Sequence, residues 1–240
     1  MPQTETSRPP IRLALAYLVH LFTASGVVFG FVAIESIVNN EFREAFLWMG
    51  AALLVDMVDG TFARAVGVKE LLPGFDGALL DNMTDYFNYV IVPAVFLYHG
   101  AILPEHFRLV GVAGICLSSA YQFCQKDAKT SDHYFRGFPS YWNVTVIYLL
   151  LLGTDERLNL AVLALLVVLV FVPIKYIYPS RTERFRRTSV ALTTLWAAVM
   201  LGMLYVYPHT PLWLVQVSLI YVAYYFGISL FIEVSNRLRG

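Results

Sequence analysis

The sequence predicts an all-α integral membrane protein of about eight transmembrane helices with both termini in the cytoplasm, and three observations predict it. First, 58% of the 240 residues are hydrophobic and only 14% are charged, with a mean hydropathy of +0.62. Soluble domains run near roughly 45–50% apolar and about 25% charged. Second, the apolar residues gather into runs close to the roughly 20 residues that a helix needs to cross the hydrocarbon core. Third, the basic residues segregate to one side of those runs, as the positive-inside rule requires.

The runs fall at 12–37, 43–65, 78–100, 106–126, 140–153, 158–178, 188–207 and 212–236. Turn residues separate them: Asn39-Asn40, Leu103-Pro104, Gly153-Thr154-Asp155 and Pro208-His209-Thr210-Pro211. The first run is too long for a secretory signal and has no small-residue cleavage site close behind it, so it is read as a retained span. Residues 1–11 then make an N-terminal cytoplasmic segment, and 12–240 a single membrane domain without an internal repeat. Cys116 and Cys124 lie in one apolar run, roughly 12 Å apart along a helix, too far for an unstrained disulfide.

With an even number of crossings, all of the 17 Lys and Arg residues except Arg43, Arg108 and Arg157 share one side, which sets both termini in the cytoplasm. The cluster Arg181, Arg184, Arg186 and Arg187 carries the same signal, with contact to anionic lipid head groups as a second reading. The 17 acidic residues balance the basic ones, so no bulk charge favours nucleic acid as a partner.

Chemistry concentrates between Leu53 and Val95. Asp56 and Asp59 end the second span at i and i+3, and Asp81 and Asp85 open the third at i and i+4, so each pair shares a helix face. Antiparallel neighbours bring the two ends to one membrane surface, where four carboxylates repel one another unless cations compensate. All-oxygen ligands favour Mg²⁺, Mn²⁺ or Ca²⁺ over zinc or copper. Gly60 and Ala63 open a notch on the helix and Arg64 can pair with a phosphate, so the group reads as a diphosphate site. One or two such aspartates alone would be read as helix caps or water-facing groups.

The pattern Asp56-x-x-Asp59-Gly60-x-x-Ala63-Arg64, followed by Gly77-x-x-x-Asp81-x-x-x-Asp85, resembles the signature of the CDP-alcohol phosphotransferases. The spacer 65–76, with Val68-Lys69-Glu70 and Leu72-Pro73, is longer than that family's usual one. It resembles the phosphatidylcholine synthase branch, as do His20-x-x-Thr23-Ala24-Ser25-Gly26 and Gly137-Phe138-Pro139-Ser140-Tyr141-Trp142-Asn143. The resemblance implies transfer of the phosphatidyl group of CDP-diacylglycerol to free choline, giving phosphatidylcholine and CMP, with a pair of Mg²⁺ or Mn²⁺ ions. It also implies a bacterial inner (cytoplasmic) membrane, an active site facing the cytoplasm and a homodimer. Carried over position by position, Asp56, Asp59 and Asp81 would bind the metals, Asp85 would be a shared ligand and the general base, and Gly60, Ala63 and Arg64 would receive the CDP moiety.

Thr23 and Ser25 are read either as small residues that permit tight helix packing or as contacts to CDP. His20 stands where many members of the family carry asparagine, and its cost in a membrane helix calls for a partner. A direct in-line displacement is the simplest scheme, and no serine or cysteine nucleophile stands beside a base in the motif. Choline has a fixed positive charge and no N–H, so aromatic faces suit it, and Tyr141, Trp142, Tyr134 and Tyr86 are the candidates. Interfacial aromatic belts are the competing account of those residues. An acceptor such as glycerol phosphate or inositol phosphate would instead call on Arg136 and Lys129, and serine is a further alternative. A proton- or cation-coupled transporter is the remaining alternative, but it expects acidic residues near mid-membrane rather than at one surface.

Overall fold

Asn39 and Asn40 reverse the chain between its first two helices, α1 (Pro10–Val38) and α2 (Phe42–Val66), which therefore pack antiparallel. Asn40 takes φ +61°, a left-handed conformation that asparagine tolerates better than most residues. The structure, a computed structural model, describes residues 10–238. The first nine residues of the expected 1–11 segment, with Arg8, and residues 239–240, with Arg239, lie outside the described residues.

Gly67, at φ +73°, ends α2 by returning its N–H to the Ala63 carbonyl, the usual left-handed helix stop. The long spacer then folds into a one-turn helix, α3 (Val68–Leu71). Val68 and Leu72 bury themselves against Ala16 and Val19 of α1, so the spacer is pinned to the start of the molecule. Asp76 accepts a hydrogen bond from the Leu79 N–H at 3.0 Å and starts α4 (Gly77–Tyr86).

The third expected span is present from Gly77 to His99 but is interrupted: a π-helical turn, Phe87–Ile91, joins α4 to α5 (Val92–His99). Pro93 supplies the physical reason, because it lacks an N–H and its ring crowds the carbonyl one turn earlier, and a widened turn relieves both. This segment packs hard on α1. A Cβ at Gly26 would stand 2.9 Å from Thr84 Cγ2, and one at Gly30 2.2 Å from Asn88 Oδ1. The Asn88 amide donates to the Gly26 carbonyl at 3.1 Å across the same contact.

Beyond a 3₁₀ turn come α6 (Arg108–Cys124), strand β1 (Tyr134–Arg136), α7 (Trp142–Leu152), α8 (Glu156–Phe171), strand β2 (Lys175–Ile177), α9 (Arg186–Tyr205) and α10 (Leu212–Arg237). The two strands pair antiparallel, Tyr134 opposite Ile177 and Arg136 opposite Lys175. This ribbon corrects the expected helix 158–178, which stops at Phe171. Val172 is extended (ψ 120°), as the residue before a proline prefers, and Pro173 cannot continue the helix. Tyr176, Ile177 and Tyr178 are aromatic and β-branched residues of the kind that strands favour.

Among the described residues, five helices are long and apolar enough to cross a membrane: Pro10–Val38, Phe42–Val66, Glu105–Cys124, Arg186–Tyr205 and Leu212–Ser235. Apart from the short ribbon this is an all-α membrane protein. Large apolar side chains such as Leu21, Phe31, Met57, Leu117, Trp213 and Ile220 face outward, as a lipid-facing surface requires. The interior is one large cluster in which Phe46 stacks on Phe96 with centroids 5.4 Å apart, and Trp142 is fully buried. Both cysteines are free.

Candidate active site

Helix periodicity and the α1 contacts together decide which carboxylates meet. Asp56 on α2 and Asp81 and Asp85 on α4 place carboxylate oxygens within 4.8 Å of one another. The Asp85 carboxyl comes within hydrogen-bonding reach of Asp56, and the Tyr89 hydroxyl donates to Asp56 Oδ2 at 2.7 Å. Asp59 lies outside this close trio, within electrostatic reach of Asp56 and Asp81. It is buried, within reach of the Thr23 hydroxyl on α1 and of its own Gly60 N–H. Three residues along an α-helix turn a side chain by roughly 60°, so Asp59 faces α1 while Asp56 faces α4.

Lys129, in the segment between α6 and β1, is the cation whose charge reaches both Asp81 and Asp85. Arg136 is already ion-paired with Asp127. Arg64 is exposed at the end of α2, where its Nη2 donates to the Thr61 hydroxyl at 3.1 Å. A Cβ at Gly60 would stand 3.2 Å from Arg64 Nη1, so the glycine makes room for the guanidinium. Ala63 packs toward the Val68–Leu72 cluster that pins the spacer.

The α1 residues divide. Thr23 is buried beside Asp59, with its hydroxyl also donating to the Val19 carbonyl at 3.3 Å, whereas the Ser25 hydroxyl donates to the Phe22 carbonyl at 2.6 Å and has no such neighbour in reach among the described residues. His20 is buried against Gly77, where a Cβ would meet its Cε1 at 2.8 Å, and its ring lies 4.2 Å from that of Phe75. Its Nε2 has no hydrogen-bond partner among the described residues.

Of the aromatic candidates, Tyr141 alone stands beside the carboxylates, within electrostatic reach of Asp85. Trp142 is enclosed, its indole N–H donating to Ser119 Oγ at 2.6 Å, and offers a ligand no free face. Tyr134 carries the Lys175 ammonium 5.6 Å from its ring centroid. Tyr86 turns away and donates its hydroxyl to the Cys116 carbonyl at 3.0 Å. Tyr221 and Tyr225, beside Tyr141, are the residues that sequence reasoning did not place here. Tyr89 was within reach of such reasoning, since it follows Asp85 by one helical turn on the same face.

The oxygen-only donor set, with three carboxylates drawn together from two helices and no histidine or cysteine among them, fits a hard divalent cation. No family model matches the chain. Among curated proteins, it is 41% identical over 234 residues to a phosphatidylcholine synthase of Legionella pneumophila, covering 93% of this chain and 92% of that protein. It is 45% identical to one of Borreliella burgdorferi, over 77% of this chain and 79% of that protein. It is 43% identical to one of Pseudomonas aeruginosa, over 79% and 80%.

Proposed function

The chain belongs to the phosphatidylcholine synthase branch of the CDP-alcohol phosphotransferases, and from that premise we propose that it transfers the phosphatidyl group of CDP-diacylglycerol to free choline, releasing CMP. The observation that carries this reading is the convergence of Asp56, Asp81 and Asp85 from two antiparallel helices. Asp56, Asp59, Asp81 and Asp85 would hold a pair of Mg²⁺ or Mn²⁺ ions, which when bound neutralise the diphosphate and stabilise the departing CMP.

The chain's own residues do the rest. Arg64, exposed beside the Gly60 notch, pairs with a phosphate of the CDP moiety. Thr23 and Ala63 flank that end of the site, and Ser25 supports α1 through its own backbone rather than through a ligand. Asp85 accepts the proton of the choline hydroxyl as that oxygen forms its bond to the β-phosphorus and the bond from phosphorus to the CMP oxygen breaks. Tyr89 holds the neighbouring Asp56 carboxylate in orientation. Tyr141 stands where the choline head group would lie, two carbons from the reacting oxygen. Eight spans, cytoplasmic termini and a site at the cytoplasmic face of the inner membrane complete the proposal. That arrangement keeps CDP and choline in water and the acyl chains in lipid.

The test is an acceptor panel. Purified protein in lipid vesicles with CDP-diacylglycerol and Mg²⁺ or Mn²⁺ is expected to form product with choline far faster than with serine, glycerol phosphate or inositol phosphate. Comparable rates with a phosphorylated alcohol would keep the chemistry, overturn the acceptor and make Lys129 and Arg136 the residues to examine.

A further inference from the structure

The aromatic residues near the carboxylates are not equally available to a ligand. Trp142 is enclosed, Tyr134 lies beneath Lys175, and Tyr178 already carries Phe135 at 4.8 Å and the Arg181 guanidinium at 5.3 Å. Tyr141, Tyr221 and Tyr225 remain. Tyr141 begins α7 within reach of Asp85, and both α10 tyrosines act on it. The rings of Tyr141 and Tyr225 are 6.0 Å apart and inclined at 62°, so they meet as two walls rather than as a closed stack.

The two α10 tyrosines are held from behind. The Tyr221 hydroxyl shares a hydrogen bond with Thr193 at 2.7 Å, and its ring stacks on Trp196 at 5.0 Å, which fixes one face and leaves the other. Tyr225 is stacked on Tyr176 at 6.2 Å and 13°. Its buried hydroxyl lies within hydrogen-bonding reach of that of Tyr141, which ties the two rings together. Preorganised rings, phenolic oxygens held against one another and the Asp85 carboxylate within reach of Tyr141 make a surface that attracts a cation but offers no positive group to an anion.

We infer that Tyr141, Tyr221 and Tyr225 form the site that selects the acceptor, taking a quaternary ammonium group on their ring faces while the acceptor's hydroxyl reaches Asp85. The inference deepens the choline reading and rests on it. A quaternary ammonium has no N–H to satisfy, so ring faces and methyl contacts to a phenolic oxygen serve it, whereas a primary amine would keep unmet donors there. Two carbons separate nitrogen from hydroxyl in choline, so the cation must bind next to the carboxylates, where Tyr141 stands.

Tetramethylammonium, which has the cation but no hydroxyl, is the direct probe. With wild-type protein in vesicles it is expected to inhibit competitively against choline and to leave the KM for CDP-diacylglycerol unchanged. Tyr141→Leu and Tyr225→Leu are expected to raise the choline KM about 2–30-fold, the range of one lost cation–aromatic contact, with little change for CDP-diacylglycerol. Tyr225→Phe, which keeps the ring, should restore most of the loss. Choline turnover by the wild type with no competition from tetramethylammonium would overturn this inference alone. So would Leu variants that raise the CDP-diacylglycerol KM in step with that of choline. Absence of choline turnover in the wild type would overturn the proposed reaction and this site together.

Discussion

The contact of α1 with α4 and the contact of α9 with α10 both bury polar side chains, but they treat them in opposite ways. Between α9 and α10 the hydroxyls are paired: Ser189 with Tyr224 at 2.8 Å and Thr193 with Tyr221 at 2.7 Å. Nearby, Trp196 donates to the Tyr148 hydroxyl, which is itself bonded to Ser218 at 2.8 Å. Around α1 and α4, His20 Nε2, Thr84 Oγ1 and Asn88 Oδ1 are buried without hydrogen-bond partners among the described residues, on the elements that carry three carboxylates that repel one another. A buried polar atom left unpaired costs about 1–3 kcal/mol, so the first region spends stability that the second recovers by pairing. The carboxylates belong to the unpaired region, whereas the paired one is scaffolding that also holds Tyr221 of the proposed acceptor site in place. Tyr225, in contact with Tyr141 at the edge of the scaffold, is where the two meet.

The largest effect that can break this contrast is on turnover. Asp85→Asn is expected to lower the rate by roughly 10²–10⁴-fold, since an amide cannot accept the alcohol proton, while CDP-diacylglycerol binding is largely kept. A variant retaining more than about a tenth of the wild-type rate would move the base elsewhere. Next comes Gly30→Ala, whose added methyl would stand 2.2 Å from Asn88 Oδ1 and 2.9 Å from Phe87 Cε1. Overpacking of this kind costs about 1–3 kcal/mol. It should lower both the thermal midpoint and activity, because α4 carries Asp81 and Asp85.

Ser218→Ala tests the paired region. It removes one of the two partners of the buried Tyr148 hydroxyl and should cost about 1 kcal/mol, read as a lower thermal midpoint with both substrate KM values unchanged. A changed choline KM would show that the scaffold is not separate from the site. The smallest effect is on the ribbon. Burial alone would push the Asp132 carboxyl up, but hydrogen bonds from Lys175 and Thr130 outweigh it and hold it below the usual range. Its contribution is therefore present above the unfolded value of about 3.9 and is lost as pH falls through the lower folded one. Because Asp132 is half exposed, Asp132→Asn should cost about 0.5 kcal/mol or less at neutral pH, and less still in high salt.

The trio of carboxylates was legible because its logic is local: an i, i+4 pair opening one helix and Asp56 near the end of the antiparallel helix before it, joined by a short spacer. The separation of Asp59 was not, since spacing alone does not say that α1 packs against that side of α2 and draws it toward Thr23. Helix limits were readable to within a few residues wherever a cap or a turn marks them, as at Asn40 and Gly153. The π turn before Pro93 and the strand after Pro173 were misread because long apolar runs were taken as continuous helix through their prolines. Trp142 and Tyr141 are neighbours in sequence, yet one is core and the other stands at the site, a difference set by contacts to Ser119 and Tyr225 that no periodicity reveals. Tyr221 and Tyr225 come from the last helix, so only the fold brings them to Tyr141.

The central claim is that the paired aspartates of α2 and α4 work only as a cation-bound unit. The most direct measurement is choline-dependent CMP release by the purified wild-type protein, followed as divalent metal is removed with excess chelator and then restored. The account predicts that release stops in chelator and returns with Mg²⁺ or Mn²⁺, while the protein stays folded throughout. Undiminished release in excess chelator would contradict it.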